Sequence, residues 1–375
     1  MARLIKPASI RLEASSFCQL RCPCCPQAEG IISGASACYD TAPETHRQED
    51  FLNPWSMHAH LVKNKIGSGY LTFSSFVRLV DKNPWIRHIE LSNWGEAFLN
   101  PHLIDIMAYA HKHGIALTAD NGVNFNTVSE EALEALVKYG FLSLSCSING
   151  VTDKTYKMYS VGGDLEVVLR NIEKINTYKK KYKMLLPLLH WQFVIFGHNE
   201  QELLPAKRLA GTMGMYFIPR FNVSDAYSPV IQKSFIKRQT LGGYSSRREY
   251  FERRGIANRQ KMICAQLWNA PQINWDGRLL GCCVNYWDDF GNVFDNELVD
   301  MLQSDKIAYA RQMLLGKRPP RDDILCTHCI YYKIMRDKGK WLNMAEIILY
   351  KSGYDLKYRC IRLFNGYPLP VKYCI

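Results

Sequence analysis

The chain has no apolar run of the ~20 residues a membrane-spanning helix requires. Its most apolar stretch, Met184 to Phe196, is broken by Pro187, His190 and Gln192. Low-complexity tracts are absent, and no repeat stands out beyond an alternation of strand-like and helix-like segments. No basic leader with an apolar stretch and a small-residue cleavage site opens the chain. No prenylation signal closes it, because the fourth residue from the end is Lys372 and Cys374 lies too late. The expectation is a soluble chain with no span and no lipid anchor. Acidic residues are in deficit, 35 against 47 basic ones, so the net charge is +12. Hydrophobic residues make up 47% and charged residues 22% of 375 positions, close to average globular usage, which excludes disordered, collagen-like and coiled-coil classes. At ~150 residues per domain, the length suggests two domains or one large domain with an appended module.

Cysteine is what the sequence has in excess. Thirteen are too sparse for a small disulfide scaffold, and the number is odd. They are expected to be reduced, in the cytoplasm, where thiolates serve metals or catalysis.

From residue 9 to about 221 the pattern is that of βα units around a parallel sheet. Six strands are expected at Ile10 to Ser15, His88 to Ser92, Ile115 to Ala119, Leu142 to Ile148, Leu188 to Phe196 and Met215 to Phe221. Helices are expected at Ser74 to Asp81, Pro101 to His113, Ser129 to Tyr139, Asp164 to Tyr182 and Glu200 to Met213. Asn100-Pro101 reads as an N-cap followed by proline at the first helical position, and Ser129 as a cap with glutamates in the first turn. Periodicity alone leaves a partial barrel and an open doubly wound sheet both open. Residues 27–69 interrupt the rhythm with Gly30, Gly34, Pro43, Pro54, Gly67 and Gly69, as a substrate-covering or poorly ordered insertion.

Beyond Phe221 the texture changes. Between Lys233 and Lys261 lie Lys237, Arg238, Arg247, Arg248, Arg253, Arg254 and Arg259 against Glu249 and Glu252. This is either an anion or nucleic-acid site or a solvated basic helix between modules. Gln272 to Trp275, Asp276-Gly277 and Arg278 to Cys283 read as a hairpin with a tight turn. A helix follows at about Glu297 to Leu315, closed by Gly316, then Cys326 and Cys329 on a loop, and an amphipathic surface helix from Trp341 to Tyr350.

The strongest chemical signal is Cys18-Gln19-Leu20-Arg21-Cys22-Pro23-Cys24-Cys25, just after the first strand. Three thiolates at C-x3-C-x2-C spacing can ligate three irons of a [4Fe-4S] cube and leave the fourth iron open to a substrate or cofactor. Zinc, with Cys24 as a fourth ligand, is the alternative, although adjacent Cys24 and Cys25 make awkward tetrahedral partners.

This motif, at the end of the first of six strands, resembles the signature of the radical S-adenosylmethionine (SAM) enzymes. The resemblance implies a partial (β/α)6 TIM-like barrel in which Cys18, Cys22 and Cys25 hold a [4Fe-4S] cluster whose open iron is chelated by SAM. Reductive cleavage of SAM then yields a 5′-deoxyadenosyl radical that abstracts a substrate hydrogen. Ser92-Asn93-Trp94-Gly95-Glu96 resembles the Gly-Gly-Glu motif that receives the SAM ammonium, with Trp94 in place of its first glycine, and so marks Gly95 and Glu96. Asp120-Asn121-Gly122 is similar to the Thr-Asn-Gly turn, and Ser145 to Gly150 to a Ser-Ile-Asp-Gly strand end, which marks Asn121 and Ser147 for the cofactor. Two departures are plain. Cys24 stands where an aromatic residue usually lies against adenine, and Tyr159-Ser160-Val161-Gly162-Gly163 lacks the arginine that meets the SAM carboxylate in some relatives.

Cys264, twelve residues, Gly277, four residues, Cys282 and then Cys326-x2-Cys329 resemble the C-terminal SPASM or shorter twitch module of these enzymes. Four such positions fit one auxiliary [4Fe-4S] cluster, with Cys283 as an alternative to Cys282, Cys360 and Cys374 as possible extras, and a zinc ribbon as the alternative site. A fully ligated cluster implies electron acceptance and net two-electron oxidation. The resemblance divides the chain into a barrel at 8–225 (insertion 27–69), a basic linker at 226–260, a cluster module at 261–340 and a C-terminal extension at 341–375. It implies a sugar- or aminocyclitol-like small molecule or a peptide as substrate and an electron donor such as flavodoxin or ferredoxin. The rival from another class is a zinc or iron-sulfur stabilised nucleic-acid-binding protein without SAM chemistry.

Overall fold

The computed structural model describes residues 6–23, 25–28, 66–222, 227–240, 242–254 and 257–351. Cys24, Cys38, Cys360 and Cys374, with residues 29–65 of the expected insertion and 352–375 of the expected extension, lie outside the described residues.

All six expected strands form: β1 (Ser9–Leu12), β2 (His88–Glu90), β3 (Ala116–Val123), β4 (Ser143–Ser147), β5 (Leu188–Ile195) and β6 (Tyr216–Phe221). Each pairs parallel with the next, so the order in space is the order in sequence. The crossovers carry α1 (Phe73–Lys82), α2 (Leu103–Lys112), α3 (Glu130–Lys138), α4 (Asp153–Tyr159), α5 (Leu165–Tyr182) and α6 (Leu203–Thr212). Polar side chains start several of these. Thr72, Ser129, Thr152 and Asp164 each accept an N–H from the first turn, which satisfies a donor the helix cannot. Asn100 is a correction. The N-cap of α2 is His102, because the Asn100 side chain is spent tying Ala14 O and Leu71 O together while accepting His102 N–H.

The sheet stays open, in the order β6-β5-β4-β3-β2-β1-β7. Gln272 to Trp275 was expected as a hairpin arm, but not as a seventh strand of this sheet. The first arm of the C-terminal hairpin, β7 (Gln272–Ile273), joins the barrel sheet parallel to β1 through Arg11↔Gln272 and Leu12↔Ile273. The Asp276-Gly277 turn forms as expected, with Gly277 at φ 90° and Asn274 N–H donating to Arg278 O. The returning arm makes isolated bridges, Ile273↔Leu279 and Arg278↔Asn292.

Successive strand residues point to opposite faces. One face carries Ile10, Leu12, Ile89, Leu91, Leu117, Leu144, Trp191 and Phe193 into the core shared with the helices. The other carries Ser9, Arg11, Glu13, His88, Glu90, Thr118, Ser143, Ser145 and His190, all buried. Hydrogen bonds from Ser9 Oγ to His88 Nδ1 (2.6 Å) and from His88 Nε2 to Thr118 Oγ1 (2.8 Å) run across β1, β2 and β3 on that face. Barrel interiors are ordinarily filled with branched aliphatics; this one is polar.

The basic stretch folds as α7 (Lys233–Gln239), α8 (Arg247–Arg254) and α9 (Ala257–Cys264), with Glu249 pairing to Lys237 at 2.6 Å and to Arg253 at 3.4 Å. After α10 (Gln266–Asn269), the helix expected over 297–315 is broken into α11 (Leu298–Met301) and α12 (Asp305–Leu314). Ser304 causes the break: its amide closes the preceding turn on Met301 O and its hydroxyl caps the next helix. Gly316, at φ 71°, ends α12 as expected. Then come α13 (Ile330–Asp337) and α14 (344–351). Ile347 of α14 is buried and Glu346 pairs with Lys261 at 2.7 Å, which docks that helix on the surface.

Candidate cofactor sites

The segment after β1 is held on several sides, which is why a loop of this composition keeps one shape. Ser16 N–H donates to Gly69 O at 3.1 Å and its hydroxyl accepts Gly69 N–H at 2.9 Å. Arg21 N–H reaches Val161 O (2.9 Å), Glu96 N–H reaches Phe17 O (2.6 Å), and Cys25 N–H closes a turn on Cys22 O (3.1 Å). Cys18, Cys22 and Cys25 are all half-buried. Burial pushes the Cys18 thiol up to about 12, with the Glu96 carboxylate and Cys25 adding to it; burial followed by Cys25 and Cys18 pushes Cys22 well above its ordinary value. Thiolates that repel one another in one loop are the donor set a bound cationic centre reverses, since metal binding drives off their protons. Asn124 Nδ2 lies 3.8 Å from Cys18 Sγ, a donor aimed at that thiolate.

Gly95 has no room for a side chain. A Cβ there would stand 2.2 Å from Ser15 O and 2.7 Å from Phe17 O. Glu96 is buried, accepting Phe98 N–H at 3.2 Å and Asn124 N–H at 2.7 Å, and burial lifts its carboxyl to about 7. It therefore braces the loop that carries Asn124. Asn121 donates its amide to Ser92 Oγ (3.2 Å) and its side chain to Asn93 Oδ1 (2.8 Å). Ser147 accepts Gln192 Nε2 at 3.4 Å and lies against Gly122. Gly95, Glu96 and the cysteine loop thus meet directly; Asp120-Asn121-Gly122, expected as a turn beyond the third strand, instead runs inside β3 where its pairing with β4 shifts register, and Ser147 ends β4. The segment 159–163 meets the cysteine loop through Val161, although it lacks the expected arginine.

Two residues escaped the sequence reading. Glu13 accepts Trp94 N–H (3.0 and 3.1 Å to its two oxygens) and Gly95 N–H (3.1 Å), and burial raises its carboxyl to about 8 against those hydrogen bonds and the Arg11 charge. Glu90 gathers Ser92 Oγ (2.6 Å), Thr118 Oγ1 (2.5 Å) and Asp120 N–H (3.0 Å). The signal was available: polar residues alternate with apolar ones inside buried parallel strands, where near-continuous apolar runs are usual.

The second cysteine set closes on one cavity. Cys264 ends α9, Cys282 follows the hairpin, Cys326 lies in a 3-10 turn (Leu325–His328) and Cys329 caps α13. All four line one small apolar cavity with Leu267, Leu280, Trp287, Phe290 and Tyr332. Cys283 is not among the lining residues; its N–H donates to Gln266 Oε1 (2.8 Å) and its carbonyl accepts from Asn93. Burial first, then the neighbouring thiols, raises Cys264, Cys282 and Cys326. Burial also raises Cys329, while the amides of Tyr332 and Tyr331 pull it back. Among the described residues, no three His, Cys, Asp or Glu side chains converge tightly enough for a single metal ion. An apolar cavity whose donors are four soft thiols has the ligand set of an iron-sulfur cube.

The family model of the Radical SAM superfamily matches residues 12–204, and that of the SPASM iron-sulfur cluster-binding domain matches residues 264–330. Streptococcus suis SuiB bound to S-adenosylmethionine is similar in structure, with 12% identity, a TM-score of 0.56 and coverage of 88% of this chain and 72% of that one. SuiB bound to precursor peptide SuiA gives 12%, 0.54, 88% and 71%. Histidine-tagged anSMEcpe with bound AdoMet gives 13%, 0.50, 95% and 93%. At these identities the likeness is one of fold. No curated protein matches the chain by sequence.

Proposed function

The chain belongs to the radical SAM superfamily and carries a C-terminal SPASM module, and from that premise we propose that it is an oxidoreductase that dehydrogenates a polar substrate. Its cofactors are S-adenosylmethionine and [4Fe-4S] clusters. We assign Cys18, Cys22 and Cys25 to the SAM-binding cluster and Cys264, Cys282, Cys326 and Cys329 to an auxiliary one. When bound, these groups supply a 5′-deoxyadenosyl radical that takes one hydrogen atom from substrate, and an acceptor for the electron that leaves as a proton departs and a carbonyl or alkene forms.

The observation that carries this reading is the closure of four thiols on one cavity. A fully ligated centre has no open iron to hold substrate, so electron acceptance is the role left to it. The remaining work falls to the chain's own side chains. Gly95 lets the loop after β2 lie against the cysteine loop, and Glu96 holds Asn124 where its amide faces Cys18. Asn121 and Ser147 flank the SAM site. The polar inner face, with Asp120 accepting Ser143 Oγ at 2.7 Å and lying 3.9 Å from His190 Nδ1, suits a substrate rich in hydroxyl or amino groups. A sugar- or aminocyclitol-like molecule meets that description. So does a polar peptide side chain, a second reading in keeping with the precursor peptide bound by SuiB. We take the domain limits to be 8–225, 226–260, 261–340 and 341–375, the compartment to be the reducing cytoplasm, and the electron donor to be a flavodoxin or ferredoxin.

Anaerobic reconstitution, iron and sulfide counting and a 5′-deoxyadenosine assay with dithionite test the reading. Two clusters and SAM cleavage are expected, with cleavage abolished in Cys18→Ala, Cys22→Ala and Cys25→Ala. Cys326→Ala and Cys329→Ala are expected to retain uncoupled cleavage and lose product. Tight zinc without cleavage would sink the proposal, and loss of cleavage in the last two variants would assign the module a structural role only.

A further inference from the structure

Trp94, which stands where the family pattern has glycine, has a partner in the C-terminal module. Its ring meets Tyr286 edge to face, with centroids 5.9 Å apart and planes at 77°. Tyr286 meets Trp287 in the same way at 5.6 Å and 80°. Trp287 is a wall of the four-cysteine cavity, and its indole N–H donates to Leu325 O at 3.3 Å, the residue before Cys326. All three rings are buried. Beside them Asn93 makes a polar bridge: its Nδ2 donates to Cys283 O at 3.1 Å while its Oδ1 accepts Asn121 Nδ2 at 2.8 Å.

Both sides of this joint are held. On the barrel side, Glu13 takes the Trp94 and Gly95 amides, and Gly95 is wedged against Ser15 and Phe17. On the module side, Gln266 takes the Cys283 amide, and Cys282, a cavity thiol, is its direct neighbour. The module also meets the barrel side at β7, which has two pairing positions on β1, at Ile66, whose carbonyl accepts Asn274 Nδ2, Trp275 Nε1 and an Arg278 N–H, and at the Lys82–Glu297 ion pair. Those contacts hold the hairpin and the residues beyond it. The Asn93 and Trp94 contacts instead join the loop after β2 to the residues beside Cys282.

We propose that Asn93 and Trp94 are positioning residues that, acting through Cys283 and Tyr286, set the place of the four-cysteine cavity relative to the three-cysteine loop. A glycine at position 94 has no ring and cannot make this contact. One of the two readouts below rests on the cluster assignment of the preceding subsection; the other does not.

The variants are Trp94→Gly, Trp94→Phe and Asn93→Asp, the last keeping the acceptor for Asn121 and losing the donor to Cys283. Amide hydrogen exchange on the full chain is measured first. In Trp94→Gly and Asn93→Asp, amides of residues 279–287 are expected to exchange about tenfold faster, the scale of one lost aromatic or polar contact. Amides of β3 to β5 are expected to keep wild-type rates, and Trp94→Phe to restore most of the protection. Electron paramagnetic resonance of the reconstituted, dithionite-reduced protein is measured second, and the magnetic interaction between the two clusters is expected to weaken in the same order. Unchanged exchange at 279–287 in both variants overturns the proposal, as does a rise that is uniform over β1 to β6, which would mark general destabilisation. A wild-type protein that loads only one cluster defeats the ligand assignment, and the exchange result then decides the joint alone.

Discussion

At Gly95 one hydrogen atom decides whether the loop after β2 can lie against the loop of cysteines. The nearest atoms are backbone oxygens that cannot swing aside, so Gly95→Ala is expected to cost about 3 kcal/mol or more. SAM binding should fall with it, because the Cys18 to Cys25 loop is displaced; thermal unfolding and SAM titration check both, and a variant with wild-type stability would refute the packing argument. Glu13 carries a pH signature. Its carboxyl sits at about 8 in the fold against an ordinary 4.5, because burial outweighs the amides of Gly95 and Trp94 and the Arg11 charge. The folded state therefore holds a proton that the unfolded state releases. Stability from this residue is complete below about pH 4.5 and is lost as pH rises through about 8, by an upper bound of about 5 kcal/mol. Glu13→Gln, which mimics the neutral acid, is expected to flatten the decline of unfolding free energy between pH 5 and 8 that the parent shows. Equal slopes for the two proteins would contradict it. The cysteines and glycines of both sites were legible in the sequence because their spacing is local. Glu13 and Glu90 were not singled out, since nothing along the chain says that a carboxylate on one strand collects amides from the loops of its neighbours.

Among the elements, the six core strands and five of the six helices between them followed from alternation and capping; α4 did not, although Thr152 caps it. Where a cap acts only on its own helix, the sequence pattern carried through: Ser129 accepts Ala132 N–H at 3.2 Å, and Ser129→Ala is expected to lower stability by about 1 kcal/mol with SAM cleavage unaltered. Denaturant unfolding and the 5′-deoxyadenosine assay together check this pair of outcomes. Where a side chain has a distant competitor, local reading failed. Asn100 looked like a cap and instead bridges Ala14 and Leu71, 86 and 29 residues away along the chain. Ser304 split what periodicity joined. β7 is the largest such case: it was legible as a hairpin arm but not as a partner of β1, to which it is joined by Arg11 Nε donating to Gln272 Oε1 at 3.1 Å and Glu13 N–H to Ile273 O at 3.0 Å. Gln272→Ala removes the side-chain half of that attachment and is expected to raise protease cutting between barrel and module severalfold, with α3 and α5 untouched. Equal cutting rates would show that the backbone pairs suffice.

For the whole molecule, the cofactors are also structural. Four thiols, those of Cys264 and Cys329 buried and those of Cys282 and Cys326 half-buried, line an apolar cavity, and stripping iron leaves that space without its occupant. Chelation is expected to lower the melting temperature of the reconstituted protein by roughly 5 to 10 °C, read by calorimetry, since a group bound only by the folded state stabilises it. An unchanged melting temperature would argue against a cluster in the cavity. No helix among the described residues is long and apolar enough to cross a membrane. Taken by itself, the sequence determined six strands alternating with helices, the three-cysteine loop at the end of β1 and the four later cysteines, because alternation, capping and ligand spacing are written in neighbouring residues; the sequential order of the strands in the sheet, which periodicity left open, and the seventh strand came with the tertiary structure. The tertiary structure alone decided that Cys282 rather than Cys283 faces the cavity, that the inner face of the sheet is a hydrogen-bonded polar surface, and that Trp94 leans on Tyr286 to join the two sites. Those are contacts between segments up to 261 residues apart, as Arg11 and Gln272 are. They are set by which surfaces the closed chain brings together, a quantity that local patterns do not contain.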